Sequence, residues 1–198
     1  GYSDEKVSLN ASNDLGNWSN SLSFRGTPGY KNSVSIPDYN IKVASPEMIN
    51  NTFSVFLYNN GASIIDQQIP IQIVIDANFN LENDINDPII YSAVYPIYID
   101  VSDSLFLTFD VNCEYAGQFL GWFSVNIEDE WIEDNVNMGY FHFSLPATSI
   151  IINELMIAPQ DLGEWIELYN ISDQIISLDS LIMIDTKDTT VLSNVKLE

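Results

Sequence analysis

Ile150-Ile151-Ile152-Asn153-Glu154-Leu155-Met156, followed after a short Pro-containing loop by Gly163-Glu164-Trp165-Ile166-Glu167-Leu168-Tyr169-Asn170, decides how this chain folds. Both runs mix branched and aromatic residues over strand-like lengths. They read as two adjacent strands of an extracellular-type β-sandwich.

Working back toward the N-terminus, no segment sustains a helical period, whereas period-two alternation recurs at short intervals. Tyr39, Ile41 and Val43 alternate with polar residues. Phe53, Val55 and Leu57 follow, ending at Asn59-Asn60-Gly61, a turn signal because Asn and Gly accept positive φ. Ile71, Ile73 and Ile75 form a third row with Pro70 at its start, where a missing N–H costs least. A weaker strand, interrupted at Pro96, covers Ile89 to Tyr98. Leu105, Leu107, Phe109 and Val111 share one face, as do Phe123, Val125 and Ile127 within Phe119–Ile127, and Tyr140–Leu145 is closed by Pro146. About seven short strands punctuated by Asn, Asp, Gly and Pro predict an all-β, immunoglobulin-like sandwich.

Residues 148–185 resemble the opening of a bacterial lamin tail domain: an apolar run, Asn-Glu, a Pro-containing loop, then Gly-Glu-Trp-Ile-Glu-Leu-Tyr-Asn. Asn17-Trp18, Gly26-Thr27-Pro28-Gly29 and Asn32-Ser33 resemble the way such domains end. The ending comes first here and the opening last. The resemblance therefore implies a window cut from a longer tandem protein, and the lack of an initiator Met and signal peptide agrees. Between them, residues 37–147 resemble the cell-adhesion-related domain found in bacteria (CARDB). The resemblance rests on the Tyr58-Asn59-Asn60-Gly61 turn and the acidic run Glu128–Val136, although Val136 stands where the family carries a second Asn. The expected organisation is the end of one lamin-tail-like domain (1–36), a CARDB/immunoglobulin-like sandwich (37–147) and the start of another lamin-tail-like domain (148–198). Pairing of the two terminal segments into a single sandwich is the less favoured arrangement. The junctions at Ser33–Asp38 and Pro146–Ser149 are too short for flexible linkers and suit a semi-rigid string.

Bulk charge narrows the partners. With 28 acidic against 6 basic residues, the formal charge is −22. Such a surface repels nucleic acid phosphates and anionic lipids. It reads first as a solubilising surface for a secreted protein, with cation capture as the sharper alternative. No apolar run reaches the length of a membrane-spanning helix. Cys113 is the only cysteine, so no intrachain disulfide forms, and it reads as a small buried apolar residue.

Asp76-x-Asn78-x-Asn80-x-Glu82-x-Asp84, running on to Asn86-Asp87, sets oxygen side chains at every second position. That is how calcium loops gather hard ligands, so Asp76, Asn78, Asn80 and Asp84 are the calcium candidates. Leu81 stands where the helix-loop-helix pattern wants Gly, and Asp87 where it wants Glu. The competing reading is a solvated loop of turn formers. Glu128–Asn135 is a second acidic loop that would share a cation with the first if both lay at one end of the sandwich. Otherwise Trp131 would pin it to the sheet edge with its carboxylates in water.

No catalytic residue is assigned. Glu164 and Glu167, three apart on a strand, point to opposite faces and cannot flank one glycosidic bond. Glu154 and Glu164 approach across the hairpin but lack a cleft. His142, the only histidine, lies mid-strand opposite Phe141 and Phe143, and no motif around Cys113 supports a Cys–His dyad. Trp165 and Tyr169 share a face and read as core. The expected function is non-catalytic: an adhesion, interaction and spacer segment of a secreted or surface-exposed bacterial protein. Its expected partners are neighbouring domains of the parent chain and a surface glycan or protein. The alternative is a carbohydrate-binding accessory module, with Trp122 and Trp131 as the aromatics to test, of a secreted hydrolase (nuclease, phosphoesterase or glycosidase) whose catalytic domain lies elsewhere.

Overall fold

The structure, a computed structural model, describes residues 1–9, 11–157, 163–184 and 188–198. All its strands are short to medium, and no α-helix occurs among the described residues. They are β1 (Asp4–Lys6), β2 (Trp18–Asn20), β3 (Ile41–Val43), β4 (Glu47–Ile49), β5 (Thr52–Asn59), β6 (Ile65–Ile75), β7 (Ile89–Ile99) and β8 (Ser104–Asp110). Then come β9 (Tyr115–Val125), β10 (Val136–Phe143), β11 (Ile150–Met156), β12 (Trp165–Asn170), β13 (Ile175–Ser177), β14 (Ile182–Ile184), β15 (Thr189–Val191) and β16 (Lys196–Leu197).

Strands β3 to β10 build the sandwich. One layer is β3-β5-β8 and the other is β7-β6-β9-β10, each with antiparallel neighbours. β4 stitches the layers together, antiparallel to β5 and parallel to β10. Its three residues follow Pro46 and are too few to show a period, which is why the sequence gives no sign of it. Between the layers, Phe53 of β5 meets Phe123 of β9 and Phe141 of β10 at ring distances of 5.0 and 5.8 Å. On the other flank, Tyr91 of β7 stacks on Phe109 of β8 at 4.5 Å. The alternating residues picked from the sequence fill this interior, Phe53, Ile73, Leu107 and Val125 among them. Each large side chain so buried contributes about 1.5–3 kcal/mol.

Four expectations change in detail. Tyr39 is exposed because β3 begins only at Ile41, and the buried residue beside it is Asn40. Pro70 lies within β6, not at its start. Its carbonyl accepts Asn126 N–H (2.8 Å), and its missing N–H ends the ladder to β9. Pro96 does not interrupt β7; it sits opposite Gln68 on an edge strand paired only with β6, where no ladder bond is lost. Gly61 is not at positive φ. An added Cβ there would come within 2.8 Å of Asn40 N and Asp38 O, so glycine is required because the incoming chain passes against it.

That contact belongs to the joint where residues 37–41 enter the sandwich. Ala62 N–H bonds Pro37 O (2.9 Å), Ser63 N–H bonds Asp38 O (2.9 Å) and Asn60 N–H bonds Asn40 O (3.0 Å). Asn59, fully buried, braces the turn by donating to Ser63 O and Ile99 O. Upstream, β1 and β2 pair with each other, and the Gly-Thr-Pro-Gly and Asn-Ser residues wrap the buried Glu5 carboxylate. Thr27 and Ser33 each give it a backbone N–H and a hydroxyl, at 2.7–3.0 Å. Burial pushes Glu5 up, but these hydrogen bonds win and take it from 4.5 down to about 2.

The chain leaves at the opposite pole. β9 spans eleven residues, roughly 33 Å at ~3.3 Å per residue. Its last residues adjoin the entry joint, while its first two, Tyr115 and Ala116, pair in parallel with β13. Ile176 and Leu178 pack with Ala116 into a second small core, and Ile175 N–H bonds Glu114 O (2.7 Å). Gly117 sits at φ +87°, and a Cβ there would collide with the Ser177 carbonyl. Among the described residues no strand of 1–36 pairs with a strand of 148–198; the two segments hold opposite poles. β11 and β12 form the antiparallel hairpin read from the sequence, with a bulge between Ile152 and Glu154. Its apolar residues remain largely exposed, as do Ile182 and Ile184 of the β14–β15 hairpin.

Candidate functional site

The 76–87 loop joins β6 to β7 at the exit pole, fastened by Asp76 N–H on Leu120 O (2.9 Å) and by Phe79 stacked on Phe119 at 5.8 Å. Phe79 and Leu81 adopt positive φ, which coils the segment tightly. Each candidate ligand organises this coil. Asp76, 1% exposed, accepts the N–H groups of Asn80 (3.1 Å) and Leu81 (2.8 Å). Asn78 Oδ1 accepts Asn80 N–H, and Asn80 Oδ1 accepts Glu82 N–H. Asp84 accepts Asn86 N–H (2.7 Å) and the Asn80 amide (2.8 Å), which together hold its carboxyl below the usual range. All four therefore carry a protein donor already.

The odd member is Asp87. It is 7% exposed, accepts Asp84 N–H (3.0 Å), and has no donor among the described residues for Oδ1. Burial raises its pKa, and the negative charges of Asp84 and Asp76 add to the rise. Among the described residues no three Asp, Glu, His or Cys side chains are gathered to hold a metal ion.

The second acidic loop, 128–135, joins β9 to β10 at the entry pole. The two loops lie at opposite ends of the sandwich, since β6 and β9 are antiparallel, and a shared cation is ruled out. Nor does Trp131 pin this loop: it is exposed, and the carboxylates do the holding. Asp129 Oδ2 accepts Ile41 N–H (3.1 Å), and its Oδ1 accepts the Asn135 amide (3.0 Å). Glu130 Oε1 accepts Asp38 N–H (2.8 Å), and both its oxygens receive Lys31 Nζ at 2.7–2.8 Å. Those bonds, Lys31 foremost, lower its pKa. Asp134 accepts the Asn40 amide (3.2 Å), yet burial and then Asp129 raise it. Sequence reading missed Asp134 as the partner of Asn40, and Asp129 as the partner of Ile41, because 94 and 88 residues separate the two pairs.

Other candidates disperse. Cys113 packs against the main core with Sγ 3.8 Å from Tyr115 O, and burial raises its thiol pKa; His142 is exposed on the outer face of β10. The two share no site. Glu154 stands opposite Glu167, not Glu164, and Asn153 donates to Glu167 (2.7 Å). Trp165 and Tyr169 are exposed, not core. Trp122 is half-buried. An aromatic surface unforeseen in the sequence lies on the outer face of β5 and β8, where Phe56 meets Phe106 at 4.8 Å and stacks on Tyr58 at 6.3 Å.

No protein-family model matches the chain, and no curated protein matches it. Among solved structures, the chain is similar to the CARDB domain of a Pyrococcus furiosus protein in complex with di-metal ions. That match has 14% identity and a TM-score of 0.36, over 55% of this chain and 89% of that one. The solution structure of a CARDB domain from the same organism matches at 16% identity and TM-score 0.36, over 56% and 98%. A Listeria innocua beta-glucosidase in complex with glucose matches at 11% and 0.31, over 55% of this chain and 16% of that one.

Proposed function

We propose that this chain is a non-catalytic spacer and interaction segment of a secreted or surface-exposed multidomain protein: one sandwich with a stiff joint at each pole. The observation that carries this reading is the placement of the joints. Entry at residues 37–41 and exit at 175–178 lie at opposite ends of β9. A sandwich threaded pole to pole separates its neighbours by its full length, and backbone hydrogen bonds across each junction resist bending. The net charge of −22 favours an extended, soluble string.

On this reading, residues 1–36 and 148–198 are pieces of flanking lamin-tail-like sandwiches. The exposed apolar rows of β11, β12 and β14 are then surfaces that neighbouring domains of the parent chain cover. Limited proteolysis tests the joints: cleavage should spare 37–41 and 175–178. Rapid removal of both flanks from an intact sandwich would overturn the stiff-joint reading. The Phe56–Tyr58–Phe106 surface favours a second reading, an accessory carbohydrate-binding face, because sugar rings stack on such platforms. Glycan-array binding lost in Phe56→Ala and Phe106→Ala, with melting unchanged, would support it.

A further inference from the structure

Three oxygens at the entry pole, Asn40 Oδ1, Asp134 Oδ1 and Asn135 Oδ1, are buried with no donor among the described residues. Asn40 is 0% exposed and Asn135 6%. They belong to one cluster: the Asn40 amide touches Asp134, and the Asn135 amide and Trp131 N–H touch Asp129 Oδ1, while Asp129 Oδ2 holds Ile41 N–H. Two carboxylates thus meet two amides where the incoming chain crosses the 128–135 loop. Lys42 is near enough to bias Asp134 electrostatically. Among the described residues, however, the loop's only ion pair is Lys31 on Glu130.

We propose that Asn40, Asp129, Asp134 and Asn135 form a binding site for a hard divalent cation, calcium by ligand type. Buried polar oxygens are normally hydrogen-bonded or coordinated. A water molecule would satisfy the donor-less oxygens but bring no positive charge to the half-buried Asp129 and Asp134 carboxylates, whereas a cation does both. Calcium accepts carboxylate and amide oxygens alike in a loose geometry, which suits ligands divided between residues 40 and 129–135; magnesium wants a rigid octahedron and keeps its waters. The site is distinct from the 76–87 loop, where Asp87 alone among the described residues has a buried side-chain oxygen without a donor. Its consequence rests on the spacer reading. The same loop carries Glu130, the clamp on Lys31 and Asp38 N–H, so calcium locks the entry joint.

The full chain, stripped of metal, is titrated with calcium by calorimetry, and with terbium by luminescence sensitised through Trp131. Saturable binding and a raised melting temperature are expected. Both are lost in Asp134→Asn combined with Asn135→Ala, and both are retained in Asp87→Asn. No heat and no melting shift at millimolar calcium overturns the site, and so does binding that survives the double variant or disappears in Asp87→Asn. Proteolysis around residues 37–41, with and without calcium, separates the consequence from the site: unchanged cleavage with intact binding overturns only the joint-locking role.

Discussion

Gly117→Ala should loosen the exit joint while leaving the sandwich folded. Gly117 stands at φ +87°, where a residue with a side chain is strained by about 1–3 kcal/mol. The added Cβ also strikes the Ser177 carbonyl. Moving Ser177 away relieves the clash, though not the φ strain that β9 itself imposes, but it draws Ile176 and Leu178 out of the second core. Each of these is worth about 1.5–3 kcal/mol when buried, and the Ile175–Glu114 bond adds about 0.5–1.5 kcal/mol. The docked state outweighs the clash, so the joint persists but opens more often. An overpacking penalty of about 1–3 kcal/mol on the docked state corresponds to a roughly 5- to 150-fold larger open population at tenfold per ~1.4 kcal/mol. Hydrogen exchange reads this directly: the Ile175 amide, bonded to Glu114 O, should lose protection by that factor, while Val55 and Phe123 change little. Unaltered exchange at Ile175 would refute the claim that Gly117 is glycine to admit Ser177.

Glu5 should make the 21–36 loop acid-sensitive. Its folded pKa is depressed from 4.5 to about 2, so its stabilisation is present above pH 4.5 and lost as pH falls from 4.5 through 2. Pepsin sensitivity of the loop should rise across that window, and Glu5→Gln should make the loop sensitive at pH 5. Lys31→Ala should cost only about 0.2–1 kcal/mol, because the pair is exposed, and its effect should fade with salt; chemical denaturation at low and high salt checks both. Glu130→Ala should cost more than Lys31→Ala in the same assay, since Asp38 N–H loses its acceptor as well. The isolated chain should self-associate through its exposed C-terminal hairpins; Ile184, 74% exposed, replaced by Lys should lower the apparent mass in light scattering at high concentration.

The sandwich was legible because its strands bury every second residue. Phe53-Val55-Leu57 and Phe123-Val125-Ile127 announce an inward face whatever they pack against. β4 and β13 were not legible. Three residues carry no period, and their partners, Phe141 for Met48 and Tyr115 for Ile175, are set by the tertiary arrangement. The acidic loops were visible as composition, but not their placement. Alternating Asp and Asn at 76–84 serves the loop's own backbone equally well as a cation, and spacing alone does not distinguish the two. Asn40, a polar residue just ahead of a strand, reads as an ordinary turn former; its burial becomes apparent only when the 128–135 loop folds over it. The Gly-Thr-Pro-Gly segment stands out in the sequence only by a resemblance, while its physical role, Thr27 hydrogen bonding the Glu5 carboxylate, required the fold.

The central claim is that a rigid sandwich separates the two flanking segments pole to pole. Spin labels at Tyr30→Cys and Asp173→Cys, in a Cys113→Ser background, measure it directly by pulsed electron resonance. The expected result is one narrow distance peak at or beyond about 33 Å, the length of β9. A broad distribution, or a peak well below that length, would contradict it.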